Sequence, residues 1–278
     1  MNKLFDCLAL FSLSSCLFGG VVFADIISQD NFDYAPGTNL LEAGTGGTGW
    51  VTGWNSETGD TFIFTGDMAL YIGTAPDCTG RGFASPGGTP YDYPIGAVMS
   101  LTFVLRQNTI KSEPGMYPYG SVTLYGNTGE GGPEISAVRV GFGSLDGSLG
   151  IVAVTGKVGE AYTYDLITAA VPGTSYDFQY DTFTDTGFQV SVKEEGAAEW
   201  DVQRVYPWFN SESIANLASV AIGGTNTYGP TEWYPTELDD ITLTGTGADV
   251  PEPSTLLLLL PFIGFGLKSL RKKRFMKP

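Results

Sequence analysis

There is no histidine anywhere in these 278 residues, which removes Ser-His-Asp and Cys-His mechanisms and the usual zinc and non-haem iron ligand sets. Cysteine is almost as scarce. Cys7 and Cys16 fall in an apolar N-terminal stretch, so only Cys78 remains downstream and no internal disulfide can form there. Nothing in Pro76-Asp77-Cys78-Thr79-Gly80 supplies a base to activate that thiol. Positive charge is thin: 14 lysines and arginines stand against 30 acids, and residues 25 to 250 hold 28 acids against 7 bases. A region so acidic does not seek nucleic acid, whose phosphates demand a basic surface. Acidity of this kind reads either as an extracellular, soluble surface or as calcium dependence. Helical periodicity is missing outside the two termini; only Ser211 to Leu217 has room for a turn or two.

What is present is clearest at the ends. Met1-Asn2-Lys3 leads into an apolar stretch, Leu4 to Phe23, that closes on Val22-Phe23-Ala24 before Asp25. This predicts a Sec signal peptide over residues 1–24. Leu13-Ser14-Ser15-Cys16 offers the alternative of a lipoprotein cleavage site at Cys16, but that would leave apolar Leu17 to Phe23 on the mature chain.

Residues 249–278 hold Pro251-Glu252-Pro253, an apolar run Leu256 to Leu267, and the cations Lys268, Arg271, Lys272, Lys273, Arg274 and Lys277. The prolines resist helix and present Glu252 on extended backbone. The apolar run rises roughly 18 Å as a helix, short of the roughly 30 Å hydrocarbon core, so a span over about 255–270 needs a thinned bilayer and snorkelling lysines. The basic end places the tail in the cytoplasm and everything upstream across the membrane.

In this order the three parts resemble the PEP-CTERM sorting signal of Gram-negative bacteria. The resemblance implies an exosortase-type membrane protease as partner, with Pro251, Glu252, Pro253, Arg271, Lys272, Lys273 and Arg274 as its sorting residues. It also implies a membrane-anchored intermediate in the inner membrane, delivery to the cell surface or extracellular matrix, and an exopolysaccharide or biofilm setting. An ordinary C-terminal anchor is the other reading of the same residues.

Between the signals, residues 25–248 are expected to form one all-β ectodomain. Short alternating or β-branched runs recur: Thr61 to Phe64, Ala97 to Leu105, Ser121 to Tyr125, Ala137 to Phe142, Gly150 to Val154, Ser175 to Tyr180, Phe188 to Lys193, Trp200 to Val205, Ser219 to Ile222 and Leu238 to Leu243. Turn pairs such as Asp146-Gly147 and Thr186-Gly187 join them, and 38 glycines are about twice ordinary usage. Ten or more strands without crossover helices predict antiparallel sheets closed over one core, as a β-sandwich or jelly roll.

The opening of this region, Asp30-Asn31-Phe32-Asp33-Tyr34 followed by Gly46-Gly47-Thr48-Gly49-Trp50-Val51-Thr52-Gly53-Trp54, resembles concanavalin A-like lectin/glucanase domains. Glu237-Leu238-Asp239-Asp240-Ile241-Thr242-Leu243 is similar to their closing strand, which lies beside the first. The resemblance implies a hairpin of Thr174 to Asp181 with Gly187 to Lys193, in the sheet that binds glycans or closes the back.

Trp54, Trp208, Trp233 and Tyr234 are the candidate rings for stacking on sugar faces, with burial as the alternative. Trp50 and Trp200 are assigned to the core. Asp30, Asp33, Asp239 and Asp240 converge if the first and last strands pair, and would offer oxygens to a structural Ca²⁺, the one cofactor the sequence suggests; solvated edge charges are the alternative. The retaining glucanases of that fold carry three carboxylates on one strand; here Glu199-Trp200-Asp201-Val202-Gln203-Arg204 begins the pattern and breaks it, and Glu194 and Glu195 read as turn charges. The expectation is therefore a non-enzymatic, glycan-binding or structural surface component, with a carboxylate-pair glycoside hydrolase as the alternative.

Overall fold

The computed structural model describes residues 24–38, 46–51, 53–56, 62–65, 68–71, 78–84, 90–108, 120–129, 132–157, 159–223 and 236–246. The chain divides into two units, Met1–Thr246 and Gly247–Pro278, and the described residues all lie in the first. The signal peptide, but for Ala24, and the sorting tail expected from the sequence lie outside them. Among the described residues no helix is long and apolar enough to cross a membrane.

Seventeen strands make up the described fold. They are β1 (Asp25–Asp30), β2 (Asn55–Ser56), β3 (Phe62–Thr65), β4 (Met68–Tyr71), β5 (Cys78–Gly82), β6 (Tyr93–Pro94), β7 (Val98–Gln107), β8 (Ser121–Asn127) and β9 (Ile135–Ser136). They continue with β10 (Val140–Leu145), β11 (Ser148–Thr155), β12 (Thr163–Ala169), β13 (Ser175–Thr184), β14 (Gly187–Glu194), β15 (Val202–Pro207), β16 (Asn216–Gly223) and β17 (Thr236–Gly245). They form two antiparallel sheets. The first runs β15-β14-β13-β7-β17-β4-β3 with β1 beside β17; the second runs β12-β11-β10-β8-β16-β5-β2, with β6 on β16 and β9 on β8. The expected all-β, antiparallel, helix-free architecture is what the described residues form.

The core lies between the sheets and follows the period-2 pattern of the strands. Leu101, Phe103 and Leu105 of β7, Tyr176, Phe178 and Tyr180 of β13, and Phe188, Val190 and Val192 of β14 point inward and are buried. Phe142, Ile151, Val122 and Val220 meet them from the second sheet. Ring contacts run within and between the layers: Phe103 stacks on its cross-strand neighbour Phe178 at 5.1 Å, and Phe142 of the second sheet meets Phe178 edge-on at 6.2 Å. The Tyr180 hydroxyl, fully buried, donates across the core to the Val122 carbonyl at 3.1 Å.

The β10–β11 hairpin closes on Asp146 and Gly147, whose φ angles of 52° and 80° suit the tight two-residue turn that strand twist favours. The β13–β14 turn falls one residue earlier than its sequence suggests. Thr184 pairs with Gly187, so Asp185 and Thr186 make the loop, and a Cβ on Gly187 would sit 2.2 Å from the Tyr206 carbonyl. Ser211 to Leu217 is not helical. Ala215 donates to Asn127 and Leu217 pairs with Gly126, so neighbouring strands draw the segment into extended form.

Candidate glycan-binding face

The residues singled out in the sequence are mostly spent on structure. Asp30 is 1% exposed and accepts four hydrogen bonds: from the Phe32 amide (3.0 Å), the Tyr34 hydroxyl (2.9 Å), Trp54 Nε1 (3.0 Å) and Arg81 Nη1 (2.7 Å). Arg81 is equally buried; its guanidinium lies 4.8 Å from the centre of the Trp50 ring and donates to the Gly46 carbonyl at 2.9 Å. Burial, then the charge of Asp30, raises the Tyr34 phenol well above its ordinary value, so it stays protonated and is no base near neutrality.

The Gly46–Trp54 motif is read by this lock. Gly47, at φ 75°, runs so close to β1 that a Cβ would meet the Gln29 carbonyl at 2.1 Å, and Trp50 Nε1 donates to that same carbonyl at 3.0 Å.

Trp54 is therefore not a sugar platform: its ring is buried and its N–H is committed to Asp30. Trp208 is corrected in the same way, 1% exposed, stacked on Phe188 at 5.2 Å and donating to the Thr184 carbonyl. Trp233 and Tyr234 lie outside the described residues.

The first and last strands do pair, with Asp30 opposite Ile241, yet the four aspartates do not assemble. Asp30 faces the core against Arg81. Asp33 is exposed on a small cavity of about 280 Å³ beside Tyr34 and Gly46, and Asp239 and Asp240 occupy a bulge in β17. Among the described residues no group of three or more cysteines, aspartates or glutamates is placed to hold a metal ion.

Trp200 reverses its assignment. It is half-buried rather than in the core, with Lys193 Nζ 5.2 Å from its ring centre. Lys193 belongs to the outer face of the first sheet, which carries a surface the sequence reading did not isolate. Directly opposed pairs run Gln203–Ser191, Ser191–Gln179, Gln179–Thr102, Thr102–Thr242 and Thr242–Gln29. Opposed residues share a face, so this is one row of uncharged amides and hydroxyls across six strands, roughly 24 Å at the usual strand spacing, with Ser191 alone of its members fully buried.

A second row beside it holds Gln189, Asp181, Ser100 and Thr244, and a third holds Lys193 and Asp177, paired at 3.3 Å. The side chains support one another. Gln189 and Gln203 both donate to Ser191 Oγ at 3.4 Å, Gln179 donates to Asp181, and Ser100 bonds Thr244 at 3.0 Å. Amides and hydroxyls are donor and acceptor together, which is what sugar hydroxyls require. The alternation Ser175, Asp177, Gln179, Asp181 on β13 was the signal that could have found this face.

A smaller polar cluster lies on the second sheet. Asn216 Nδ2 donates to Asn127 Oδ1 (2.8 Å), Asn127 Nδ2 to Asp92 Oδ2 (2.6 Å), and Ser219 to Glu134 Oε2 (3.4 Å). Loss of hydration, and then the charge of Asp92, pushes the Glu134 carboxyl above the usual range, against the opposing Ser219 hydrogen bond.

No family model matches the sequence, and no curated protein matches it. Similar solved structures include an alginate lyase from Pseudomonas aeruginosa, 11% identical over 66% of this chain and 85% of that one, with a TM-score of 0.47. The alginate lyase Aly36B is 13% identical, covers 79% and 97%, and scores 0.46. The CBM2 module of the evolved Dit protein of Lactobacillus casei BL23 phage J-1 is 10% identical, covers 81% and 97%, and scores 0.46. Alginate lyases are among these structures, so the expectation that the chain is not an enzyme is withdrawn. At these identities and scores the comparison reaches no further than all-β architecture.

Proposed function

We propose that this chain is an exported, tail-sorted protein of the cell surface or extracellular matrix whose sandwich, of concanavalin A-like type, engages polysaccharide across the outer face of its first sheet. The supporting observation is the six-strand row from Gln203 to Gln29, long enough for several sugar rings and bordered by the half-buried Trp200. Affinity electrophoresis of the protein through gels containing polysaccharide tests it. Retardation of the wild type, lost in the Gln179→Ala/Gln203→Ala and Trp200→Ala variants, is the expected result; equal retardation of all three would place binding elsewhere.

A second reading is hydrolysis at the second sheet, favoured by the raised carboxyl of Glu134 near Asp92, an acid held protonated closer to working pH. It predicts release of reducing ends that Glu134→Gln abolishes with polymer retention intact. Tail sorting predicts an exosortase-type protease as partner, a transient stay in the inner membrane and a cytoplasmic basic end.

A further inference from the structure

Resting on the polysaccharide reading, we infer that the polymer this face takes is neutral and not a polyuronate. The reason is the disposition of charge. Among the described residues there are six lysines and arginines, and five of them are already in carboxylate pairs: Arg81 with Asp30, Arg106 with Glu237, Lys157 with Glu212, Lys193 with Asp177, and Arg204 with Asp165. The sixth, Arg139, sits over the Phe209 ring, 5.8 Å from its centre.

On the face itself Lys193 is further tied to the Ala197 carbonyl at 2.6 Å, and Glu237, which pairs Arg106, also accepts from Asn108 at 3.0 Å. The same face carries Asp181 and Asp239 in addition to the two paired acids.

A polyuronate presents one carboxylate on every sugar. Laying such a chain along the row would bring those carboxylates within a Debye length of a surface whose described side chains sum to negative charge, with every described cation on it already paired. A neutral chain meets no such opposition. Its hydroxyls find, along the row, the amide and hydroxyl groups of Gln203, Gln179, Thr102, Thr242 and Gln29, each able to donate and to accept, while Ser191 is buried and accepts from Gln189 and Gln203.

The same disposition of charge bears on any chemistry. Elimination from a uronate needs its carboxylate neutralised before the adjacent carbon can give up a proton, and the described cations are engaged elsewhere. Hydrolysis by a carboxyl pair carries no such requirement.

The full-length protein, in gels containing laminarin, lichenan, mannan or dextran on one side and alginate or polygalacturonate on the other, each in low and high salt and with Ca²⁺ or chelator, tests the inference. At least one neutral polymer should retard it, by at least tenfold less in the Gln179→Ala/Gln203→Ala variant, and neither polyuronate should. Asp177→Asn, which releases Lys193, should create weak, salt-sensitive retardation by alginate. Reducing the carboxyl groups of the polyuronate to alcohols should restore binding. Retardation of the wild type by alginate or polygalacturonate under any of these conditions, weakened by Gln179→Ala, would overturn the inference and leave the polysaccharide reading intact. Retardation by none of the six polymers would overturn both.

Discussion

Arg81→Met is the most informative single change to the fold. It removes the guanidinium that lies between Asp30, the Gly46 carbonyl and the rings of Trp50 and Trp54, with a side chain of similar length that fills the space. Asp30 keeps its other three donors, the Phe32 amide, Tyr34 hydroxyl and Trp54 indole, but its charge is left uncompensated at 1% exposure. Breaking a buried pair by deleting one partner costs about 3–5 kcal/mol. For a domain of this size each kcal/mol moves the melting temperature by about 2–4 °C, so a fall of roughly 6–20 °C is expected by calorimetry.

Asp30→Asn should be similarly harmful. The double variant should fall short of the sum of the singles by up to about 3 kcal/mol, because neither charge is then stranded. A loss under about 1 kcal/mol for Arg81→Met, the range of surface pairs, would refute the argument that this pair is desolvated and holds the end of β1 in place.

Other perturbations follow the same logic. Trp208→Ala should cost about 3–5 kcal/mol in urea unfolding, as for other buried rings, so any loss of glycan binding in it reports on folding; near-wild-type stability would show that the indole is not packed against Phe183 and Phe188. Asp165 loses some hydration, but hydrogen bonds from Tyr206 (2.5 Å) and Arg204 (2.7 Å) outweigh this and hold its carboxyl below the ordinary 3.8. Its contribution is therefore present above about pH 4 and fades as pH falls through the lowered value, and Asp165→Asn should flatten the acid limb of a stability profile. Glu134, raised from 4.5, has the opposite sign: it opposes folding once ionised, so Glu134→Gln should stabilise slightly at neutral pH and not at pH 4. Replacing Pro251-Glu252-Pro253 with alanines should hold the protein in the inner-membrane fraction; unchanged release would count against sorting by the tail.

The strands were legible wherever one side of the ribbon is apolar and the other polar. Leu101, Phe103 and Leu105, or Phe188, Val190 and Val192, announce β7 and β14 because a half-buried strand must alternate. β5 and β12 were not legible. The Cys78–Gly82 strand is nearly half glycine and Thr163–Ala169 alternates weakly, so only their partners in the sheet keep them extended.

The aromatic candidates failed for a related reason. A tryptophan beside glycine or proline looks like a loop residue from its neighbours, but Trp54 and Trp208 find acceptors in Asp30 and the Thr184 carbonyl, 24 residues away in each case, and that permits their burial. Trp200 erred the other way: it is adjacent to a strand in sequence yet lies over Lys193 on the outer face.

The sequence by itself determined the class of chain. It set the all-β pattern, the absence of histidine chemistry, the single cysteine beyond the N-terminal apolar stretch, and the acidic balance, since composition and period-2 alternation are local properties. The tertiary structure alone decided which residues share a face. The row from Gln203 to Gln29 draws on six strands distributed over more than two hundred residues, and the Asp30–Arg81 pair joins residues 51 apart. Strand order and register bring such groups together, and both are set by long-range pairing that no window of sequence contains.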